Sequence, residues 1–277
     1  MNAAAIATLS RAGVAVEVVA QTGSTNADLL ARASTLAAPL LLVAEHQSAG
    51  RGRAGRSWLS SPEGSLTFSL AWRFDGGPQA LLGLPLAVGV ALADTLGTLG
   101  QQVQLKWPND VLKDGDKLAG ILIETQSAPG GGTWCVIGIG LNLLMPDEME
   151  AQLGRSAAGM PWLARMDRDA LMAALLDGLA DCLREFTARG FAAFSARWNL
   201  RHAWQGETVV LLDGGVVRHE GRAAGVDDSG RLLLDTDEGR DHGQAELGPQ
   251  LQHRAGVGDQ LDHLAHVIDP QAVLRDR

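Results

Sequence analysis

The sequence predicts an α+β protein with a small β-barrel at its C-terminal end. Strand-like and helix-like patterns interleave through residues 1–203, and from residue 204 onward short β-like segments alternate with Asp- and Gly-rich turns. With 277 residues, 46% of them hydrophobic, the chain can bury one large core and one small one. We therefore divide it into a main domain, residues 1–203, and a C-terminal domain, residues 204–277.

Hydrophobic periodicity places the elements in order. Predicted strands cover residues 14–19, 39–45, 65–73, 103–107, 111–113, 118–124 and 133–139, and barrel strands cover 208–212, 216–219 and 231–234. Predicted helices cover residues 27–33, 80–99 and 167–186, with a further helix from 191 to 198 after the break at Gly190. Thr25 and Asp28 have the spacing of a capping box for the first of these helices, and residues 114–116 have the composition of a hairpin turn.

Composition narrows the function. The net charge of -9 argues against a nucleic-acid-binding protein. Cys135 and Cys182 lack metal-type spacing and are expected to be reduced. No signal peptide is visible, and the apolar stretch 80–99 contains Pro85 and Asp94, which make it a poor membrane span. We expect a cytoplasmic protein with no membrane and no nucleic-acid partner.

Three arginines alternate with three glycines in residues 50–56, a segment we call the basic loop. Glycine lets the backbone approach a ligand closely, and arginine presents a planar fork of donors that suits phosphate or carboxylate. A solvated linker, a disordered tail that binds nucleic acid or a long hairpin tip would have a similar composition. Because predicted strands lie on both sides, an anion-binding loop is favoured, and on an acidic protein this favours a small anionic ligand.

Further candidate motifs are a Lys-Trp-Pro-Asn-Asp turn at 106–110, Lys117 and a Gly-Ile-Gly strand end at 138–140. Positive groups gathered from separate loops suit phosphoryl or nucleotidyl transfer, which depends on positioning and charge neutralisation. Plainer interpretations stay open: Pro-Asn-Asp is a common turn, Trp107 is equally compatible with a core position, and residues 24–26 could be a simple helix cap.

Together these motifs resemble the biotin protein ligases, over roughly residues 15 to 245. The stretches that carry the resemblance are 23–26, 47–58, 106–111, 117–124 and 138–142. The resemblance implies a class II synthetase-like mixed sheet flanked by helices and an SH3-like C-terminal barrel. It also implies that biotin, ATP and Mg²⁺ give biotinyl-5′-AMP and pyrophosphate, and that biotin then passes to a lysine of a biotin carboxyl carrier protein of acetyl-CoA carboxylase. The enzyme would be a monomer or a homodimer.

The resemblance also implies roles for single residues. Lys117 would reach the biotin carboxylate and the α-phosphate, Arg53 would fold over the adenylate, and Asp110 would engage the acceptor lysine. No metal ligand is implied. The implied biotin-binding residues are Ser24, Thr25, Asn26, Gln47, Gly50, Arg51, Gly52, Arg53, Lys117, Gly120, Gly138 and Gly140. The implied ATP or adenylate contacts are Arg53, Arg56, Trp58, Lys106, Asn109, Asn142 and Trp162.

The sequence departs from the family pattern in three places. Ala54 stands where the loop is often basic, and we expect activity to survive this. Residues 1–20 leave no room for a helix-turn-helix, so we expect no operator binding. The tail beyond residue 248 is longer than the barrel needs. A lipoate ligase or octanoyltransferase on the same fold is the main alternative, and a non-catalytic ligand sensor or nucleic-acid-binding module is another.

Overall fold

The structure is a computed structural model that describes residues 1–154, 156–213, 216–236, 239–243 and 250–253. The helices are α1 (Ala3–Leu9), α2 (Thr25–Arg32), α3 (Leu84–Thr98), α4 (Asp147–Leu153), α5 (Pro161–Ala164), α6 (Arg168–Arg189) and α7 (Ala192–Asn199). The strands of the main domain are β1 (Ala15–Thr22), β2 (Leu40–Gln47), β3 (Ser65–Phe74), β4 (Gln104–Lys106), β5 (Asp110–Lys113), β6 (Asp116–Ser127) and β7 (Thr133–Asn142). The strands of the C-terminal domain are β8 (Thr208–Asp213), β9 (Val216–Val226), β10 (Leu232–Thr236), β11 (Gly239–Gly243) and β12 (Gln250–His253).

The main domain is built on a seven-stranded sheet with the order β1-β2-β3-β7-β6-β5-β4. β1 and β2 run parallel, and the other neighbouring pairs are antiparallel, so the sheet is mixed as predicted. The hairpin between β5 and β6 turns where it was predicted, with Asp114 and Gly115 both at positive φ (52° and 91°). The α+β prediction is confirmed.

The predicted helix 80–99 is interrupted. Pro78–Leu81 forms a short 3₁₀ turn, Gly83 takes a left-handed φ of +79°, and α3 begins only at Leu84. Glycine is needed at this break, because a Cβ on Gly83 would lie 2.5 Å from the ring of Phe191. By length and composition alone, the segment Pro78–Thr98 could cross a membrane, but 67% of its most apolar part is buried inside the protein. It is the core helix of the main domain.

The N-terminal cap of α2 was predicted wrongly. Ser24, in extended conformation, caps the helix by accepting a hydrogen bond from the Ala27 amide (3.4 Å), and α2 begins at Thr25 rather than at Ala27. Thr25 is the first residue of the helix and its side chain turns towards Gln47. The shift places two polar side chains, Thr25 and Asn26, against the sheet.

The C-terminal domain is a five-stranded sheet with the order β11-β10-β9-β8-β12. It docks on the main domain through Asn199, which exchanges two hydrogen bonds with the backbone of Val226 (2.8 and 3.0 Å). Trp107 is fully buried and donates from Nε1 to the carbonyl of Gly230 (3.2 Å), so the core interpretation of this residue is the one the structure supports. Of the predicted tail 250–277, residues 254–277 lie outside the described part of the chain.

Candidate active site

A cavity of about 610 Å³ opens where the start of α2, the end of β2, the basic loop, β6 and β7 meet. It gathers most of the residues that the sequence predicted for ligand binding. Those that line it are Ser24, Thr25, Asn26, Gln47, Arg51, Gly52, Arg53, Arg56, Trp58, Asn109, Lys117, Gly120, Gly138 and Gly140. Segments far apart in sequence therefore converge on one site.

The floor of the cavity, which we define as the lining residues Thr25, Asn26 and Gln47 together with Ser69, which supports them from beneath the lining, is neutral, polar and buried. The Thr25 amide donates to Gln47 Oε1 (2.8 Å), and the Thr25 hydroxyl lies 3.0 Å from that oxygen and 2.7 Å from Ser69 Oγ. Ser69 Oγ in turn donates to Asn26 Oδ1 (2.6 Å). Buried groups held in this way are pre-organised for a ligand with its own donors and acceptors.

The sequence did not reveal Ser69. It alternates with apolar residues in β3, which is typical of the solvent-facing side of a half-buried strand. Its face of the sheet is instead covered by α2, and Ser69 is fully buried. Only the knowledge that α2 packs on β3 would have identified it.

The glycines of β6 and β7 make room for side chains of the site. A Cβ on Gly138 would lie 2.1 Å from Asn26 Oδ1, and a Cβ on Gly140 would lie 2.1 Å from the Trp58 indole. Gly120 is paired with Gly140 across the two strands, and a Cβ there would lie 3.0 Å from Lys117 Nζ. That these glycines also admit a ligand to the backbone stays a prediction.

The basic loop folds back on itself at the mouth of the cavity. Trp58 donates from its amide to the Gly50 carbonyl (2.9 Å), and Gly52 donates to the Arg56 carbonyl (2.6 Å). Gly50 has no space for a side chain, since a Cβ would lie 2.4 Å from the Trp58 carbonyl oxygen. Ala54, the departure from the family pattern, takes a left-handed φ of 54°.

The rim of the cavity, which we define as the lining residues Arg51, Arg53 and Lys117 together with Asp110, the ion-pair partner of Lys117 that does not itself line the cavity, carries most of the charges. Lys117 Nζ lies 2.6 Å from Asp110 Oδ1, and both side chains are less than one-fifth exposed (19% and 18%). Burial alone would raise the pKa of Asp110, but the charges of Lys117 and Lys106 outweigh it and hold that pKa below its ordinary value. The two residues to which separate catalytic roles were assigned are thus one ion pair.

Arg53 is held at the rim by the turn 106–110. Its guanidinium donates to Asn109 Oδ1 (3.2 Å), and Asn109 Nδ2 donates to the carbonyl of Ile121 (2.8 Å). Burial lowers the pKa of Arg53, and the charge of Asp110 opposes that shift. The predicted turn 106–110 therefore supplies both a carboxylate and an amide that hold the cations of the rim.

Glu124 is a further charged residue that the sequence did not single out. It sits on β6, accepts from Asn26 Nδ2 (2.9 Å) and forms an ion pair with Arg51. It thereby connects the floor to the basic loop. A lone acid in a predicted strand gave no signal of this, because its partners are 98 and 73 positions away.

Three predicted adenylate contacts lie away from the cavity lining. Lys106 Nζ stands 4.5 Å from the ring centroid of Trp204. Asn142 is buried and donates to the Lys117 carbonyl (3.4 Å), a supporting position beneath the rim. Trp162, on α5, is 53% exposed and lines neither this cavity nor the second one described below. The adenylate role of these residues stays a prediction.

On the other side of the basic loop lies a second cavity of about 640 Å³, between the loop, the start of α3 and β6. Its wall is mainly apolar and includes Leu81, Leu82 and Pro108. Among the described residues no group of three or more His, Cys, Asp or Glu side chains could hold a metal ion. Cys135 and Cys182 are free and buried, and burial raises the pKa of each thiol to about 12, so neither is a nucleophile.

Comparison with known proteins agrees with this geometry. The sequence pattern of the biotin/lipoate A/B protein ligase family matches residues 17–142, and that of the biotin protein ligase C-terminal domain matches residues 206–255. The chain is 38% identical to the biotin–[acetyl-CoA-carboxylase] ligase of Mycobacterium tuberculosis, over 79% of this chain and 83% of that protein. It is 35% identical to the ligase of the same name from Paracoccus denitrificans, over 80% and 95%.

Two further proteins extend the comparison. The chain is 35% identical to the bifunctional ligase/repressor BirA of Escherichia coli, over 81% of this chain and 70% of that protein. The structure is similar to that of the biotin protein ligase from Aquifex aeolicus in complex with biotin and ATP, with a TM-score of 0.72 and 27% identity over 86% of this chain and 98% of that chain.

Proposed function

This chain belongs to the biotin protein ligases of the biotin/lipoate A/B protein ligase family, and from that premise we propose that it converts biotin and ATP into biotinyl-5′-AMP and transfers the biotin to a lysine of the acetyl-CoA carboxylase carrier protein. The observation that carries the proposal is the division of one cavity into a neutral floor and a cationic rim. The floor suits the uncharged ring end of biotin, and the rim suits its carboxylate and the phosphates of ATP.

In the first step a biotin carboxylate oxygen attacks the α-phosphorus of ATP, and the bond to pyrophosphate breaks. Both reactants are anions, so the barrier includes their mutual repulsion. Lys117 and Arg53 lie at the rim, where they can neutralise the charge that develops on the phosphoryl oxygens. Lys117 must then exchange its Asp110 partner for the ligand, and the 2.6 Å ion pair keeps it oriented until that moment.

In the second step the amine of the acceptor lysine attacks the carbonyl carbon of the mixed anhydride. An amide bond forms, AMP leaves and the attacking nitrogen loses a proton. Asp110 has a lowered pKa, which makes it a weak proton acceptor. Its contribution is therefore to attract and orient the incoming lysine, while solvent or the departing phosphate takes the proton.

The floor favours biotin over the alternative acids. The ureido group of biotin offers both N–H donors and a carbonyl acceptor to Thr25, Gln47 and their neighbours. Lipoate and octanoate have neither at that end, and either would leave buried polar groups unpaired. Lipoate ligation is thus disfavoured by the floor, although the rim would serve both reactions.

Magnesium enters this proposal with ATP. The described residues present no metal-ligand cluster, so the ion would be held by the phosphates and water. We propose a cytoplasmic enzyme that acts as a monomer or a homodimer and does not bind operator DNA. The net charge of -9 supports the last point, since an acidic surface repels a polyanion.

The test is pyrophosphate release by the purified protein with ATP and magnesium, in the presence of biotin, lipoate or octanoate. We expect release with biotin alone, followed by labelling of one lysine when a biotin carrier domain is added. Release with lipoate or octanoate but not with biotin would show that biotin is the wrong substrate. Release with none of the three acids would refute the assignment as a ligase.

A further inference from the structure

The side chains of the floor and Glu124, which lines the second cavity, form one chain of hydrogen bonds that ends in the basic loop. Starting from Gln47, at the base of the basic loop, contacts run through Thr25, Ser69 and Asn26 to Glu124, and from Glu124 back to Arg51 in the loop itself. The chain of contacts therefore connects the floor to the basic loop at Arg51, and it begins at Gln47, where β2 leads into that loop.

The orientation of the Asn26 amide is fixed by its acceptors. Its Nδ2 faces Glu124 Oε2 (2.9 Å) and the carbonyl oxygen of Leu122 (3.2 Å). Carboxylate and carbonyl oxygens accept hydrogen bonds and cannot donate them, so the nitrogen of the amide must be on this side. The amide oxygen Oδ1 is therefore on the side of Ser69.

The direction of the remaining bonds follows from this orientation. Since Asn26 Oδ1 can only accept, the Ser69 hydroxyl must donate to it over 2.6 Å. Ser69 has then used its proton, so its contact with the Thr25 hydroxyl at 2.7 Å requires Thr25 to donate. The other polar neighbour of that hydroxyl, Gln47 Oε1 at 3.0 Å, is also an acceptor. Because the Ser69 oxygen needs a donor at 2.7 Å, the Thr25 proton points to Ser69 in the wall, and the Thr25 lone pairs are left for the cavity.

We propose that Glu124 is a positioning residue that sets the direction of this hydrogen-bond chain, so that Thr25 meets the ligand as an acceptor and selects acids that carry an N–H donor. This inference rests on the proposed function, because biotin has a ureido N–H at that end whereas lipoate and octanoate do not. The same carboxylate anchors Arg51, so recognition of the biotin ureido group and placement of the basic loop depend on one residue.

Glutamine at position 124 would disrupt the chain with almost no change of shape. A carboxamide has one oxygen, whereas Glu124 uses two oxygens on two donors, Asn26 and Arg51. If the oxygen serves Arg51, the carboxamide nitrogen faces Asn26, whose amide must then reverse and turn its oxygen towards the Leu122 carbonyl oxygen. If the oxygen serves Asn26, two donors face each other at Arg51.

The experiment compares Glu124→Gln and Ser69→Ala with the wild-type enzyme in biotin-dependent pyrophosphate release. Each variant should raise KM for biotin about tenfold, the effect of losing one well-made buried hydrogen bond. For Ser69→Ala, which leaves the Glu124–Arg51 pair intact, kcat at saturating biotin should stay within about twofold. The double variant should raise KM by much less than the product of the two single effects, because both changes break one chain. The matched control is Glu17→Gln, which removes another Glu–Arg pair attached to α2 through Arg32 and should leave KM unchanged.

The outcomes separate this inference from the proposed function. A wild-type enzyme that releases no pyrophosphate with biotin would refute the function itself. A normal wild-type enzyme, together with a Glu124→Gln variant whose KM stays within about twofold, would overturn the inference alone. So would multiplicative effects of the two single variants. If Glu124→Gln fails to fold, Ser69→Ala, which leaves the Glu124–Arg51 pair intact, decides the question through the same split between KM and kcat.

Discussion

The floor and the rim of the cavity differ in almost every physical property. The four floor residues are neutral, and none is more than 9% exposed. The rim residues are charged and ion-paired or hydrogen-bonded, and the Arg51 side chain is 45% exposed. Burying a charge costs far more than burying a hydrogen-bonded neutral group, so a site that must enclose an uncharged ring completely is built from neutral groups.

The difference shows how one cavity can separate binding from reaction. Floor contacts are the same before and during the reaction, so they contribute to affinity. Rim contacts strengthen as charge develops on the phosphoryl group, so they contribute to rate. Variants of the two regions should therefore fall into different kinetic classes, with the largest effects at the rim.

Replacing Lys117 with alanine should have the largest effect. We expect kcat for biotin-dependent pyrophosphate release to fall at least about a hundredfold, the usual cost of losing one transition-state donor, with biotin affinity changed only a few-fold. Steady-state kinetics and calorimetric biotin binding would measure the two quantities. Lys113→Ala, on the exposed hairpin next to Asp114, is the control. Equal losses in affinity and rate would contradict the division between floor and rim.

Gly140→Ala should impair both binding and rate, because Gly140 lines the cavity against Trp58. The new Cβ would lie 2.1 Å from the Trp58 indole and would have to displace it. We expect kcat/KM for biotin to fall at least about tenfold, with a loss of stability of about 1–3 kcal/mol from overpacking. Gly77→Ala, where nothing lies within 4 Å of the new Cβ, is the control for kinetics and for thermal unfolding. A normal kcat/KM would show that the indole can move freely.

Trp107→Phe tests the hydrogen bond that joins the turn 106–110 to the C-terminal domain. The change removes the donor to the Gly230 carbonyl and leaves that oxygen without this bond, so the free energy of unfolding should fall by about 1 kcal/mol. Urea denaturation would measure it. Trp162→Phe, at an exposed site, should leave the free energy of unfolding unchanged. A loss in the control as large as that in Trp107→Phe would argue against a specific bond.

The smallest expected effect is on the pH dependence of Tm, and it involves His202, which belongs to neither the floor nor the rim. His202 is buried, with its ring centroid 4.8 Å from that of Trp198; burial lowers its pKa, and the bond to Gln205 opposes the shift. The fold disfavours the protonated imidazole. The contribution of neutral His202 to the stability of the protein is therefore complete above the ordinary pKa of 6.5, and it is lost as the pH falls from 6.5 towards the lowered pKa of the folded state. His202→Phe should therefore reduce the drop in Tm between about pH 7.5 and about pH 5.5. A drop as large as that of the wild type would assign the pH dependence to other groups.

The features that the sequence predicted are local. The β5–β6 hairpin follows from an Asp-Gly pair at positive φ, and the basic loop from its alternation of glycine and arginine. Residues whose role depends on a distant neighbour were missed, namely Ser69, which faces α2, and Glu124, which reaches the basic loop. A single sequence does not say which strands are adjacent in the sheet, so it cannot say which polar side chains meet.

The local signals also misled in one place. Thr25 and Asp28 have capping-box spacing, yet Ser24 is the cap, because a cap set one residue earlier frees Thr25 to bond with Gln47. Tertiary hydrogen bonds thus overrode a local preference. Trp107 is a different case: it lies inside a sequence motif that indicates function, yet its side chain is part of the core.

The hydrogen bond between Trp107 and Gly230 also affects where the protein can be truncated, split or fused to a reporter. The residue that donates it precedes Asn109 and Asp110 by only two and three positions, so a shortened chain that ends near residue 203 would deprive the active-site turn of its backing. Reporter insertions and split halves are better placed at the exposed Gly130–Gly131 turn between β6 and β7, where both glycines are at positive φ. The boundary between the two domains is thus a poor place to divide a protein whose catalytic turn rests against both.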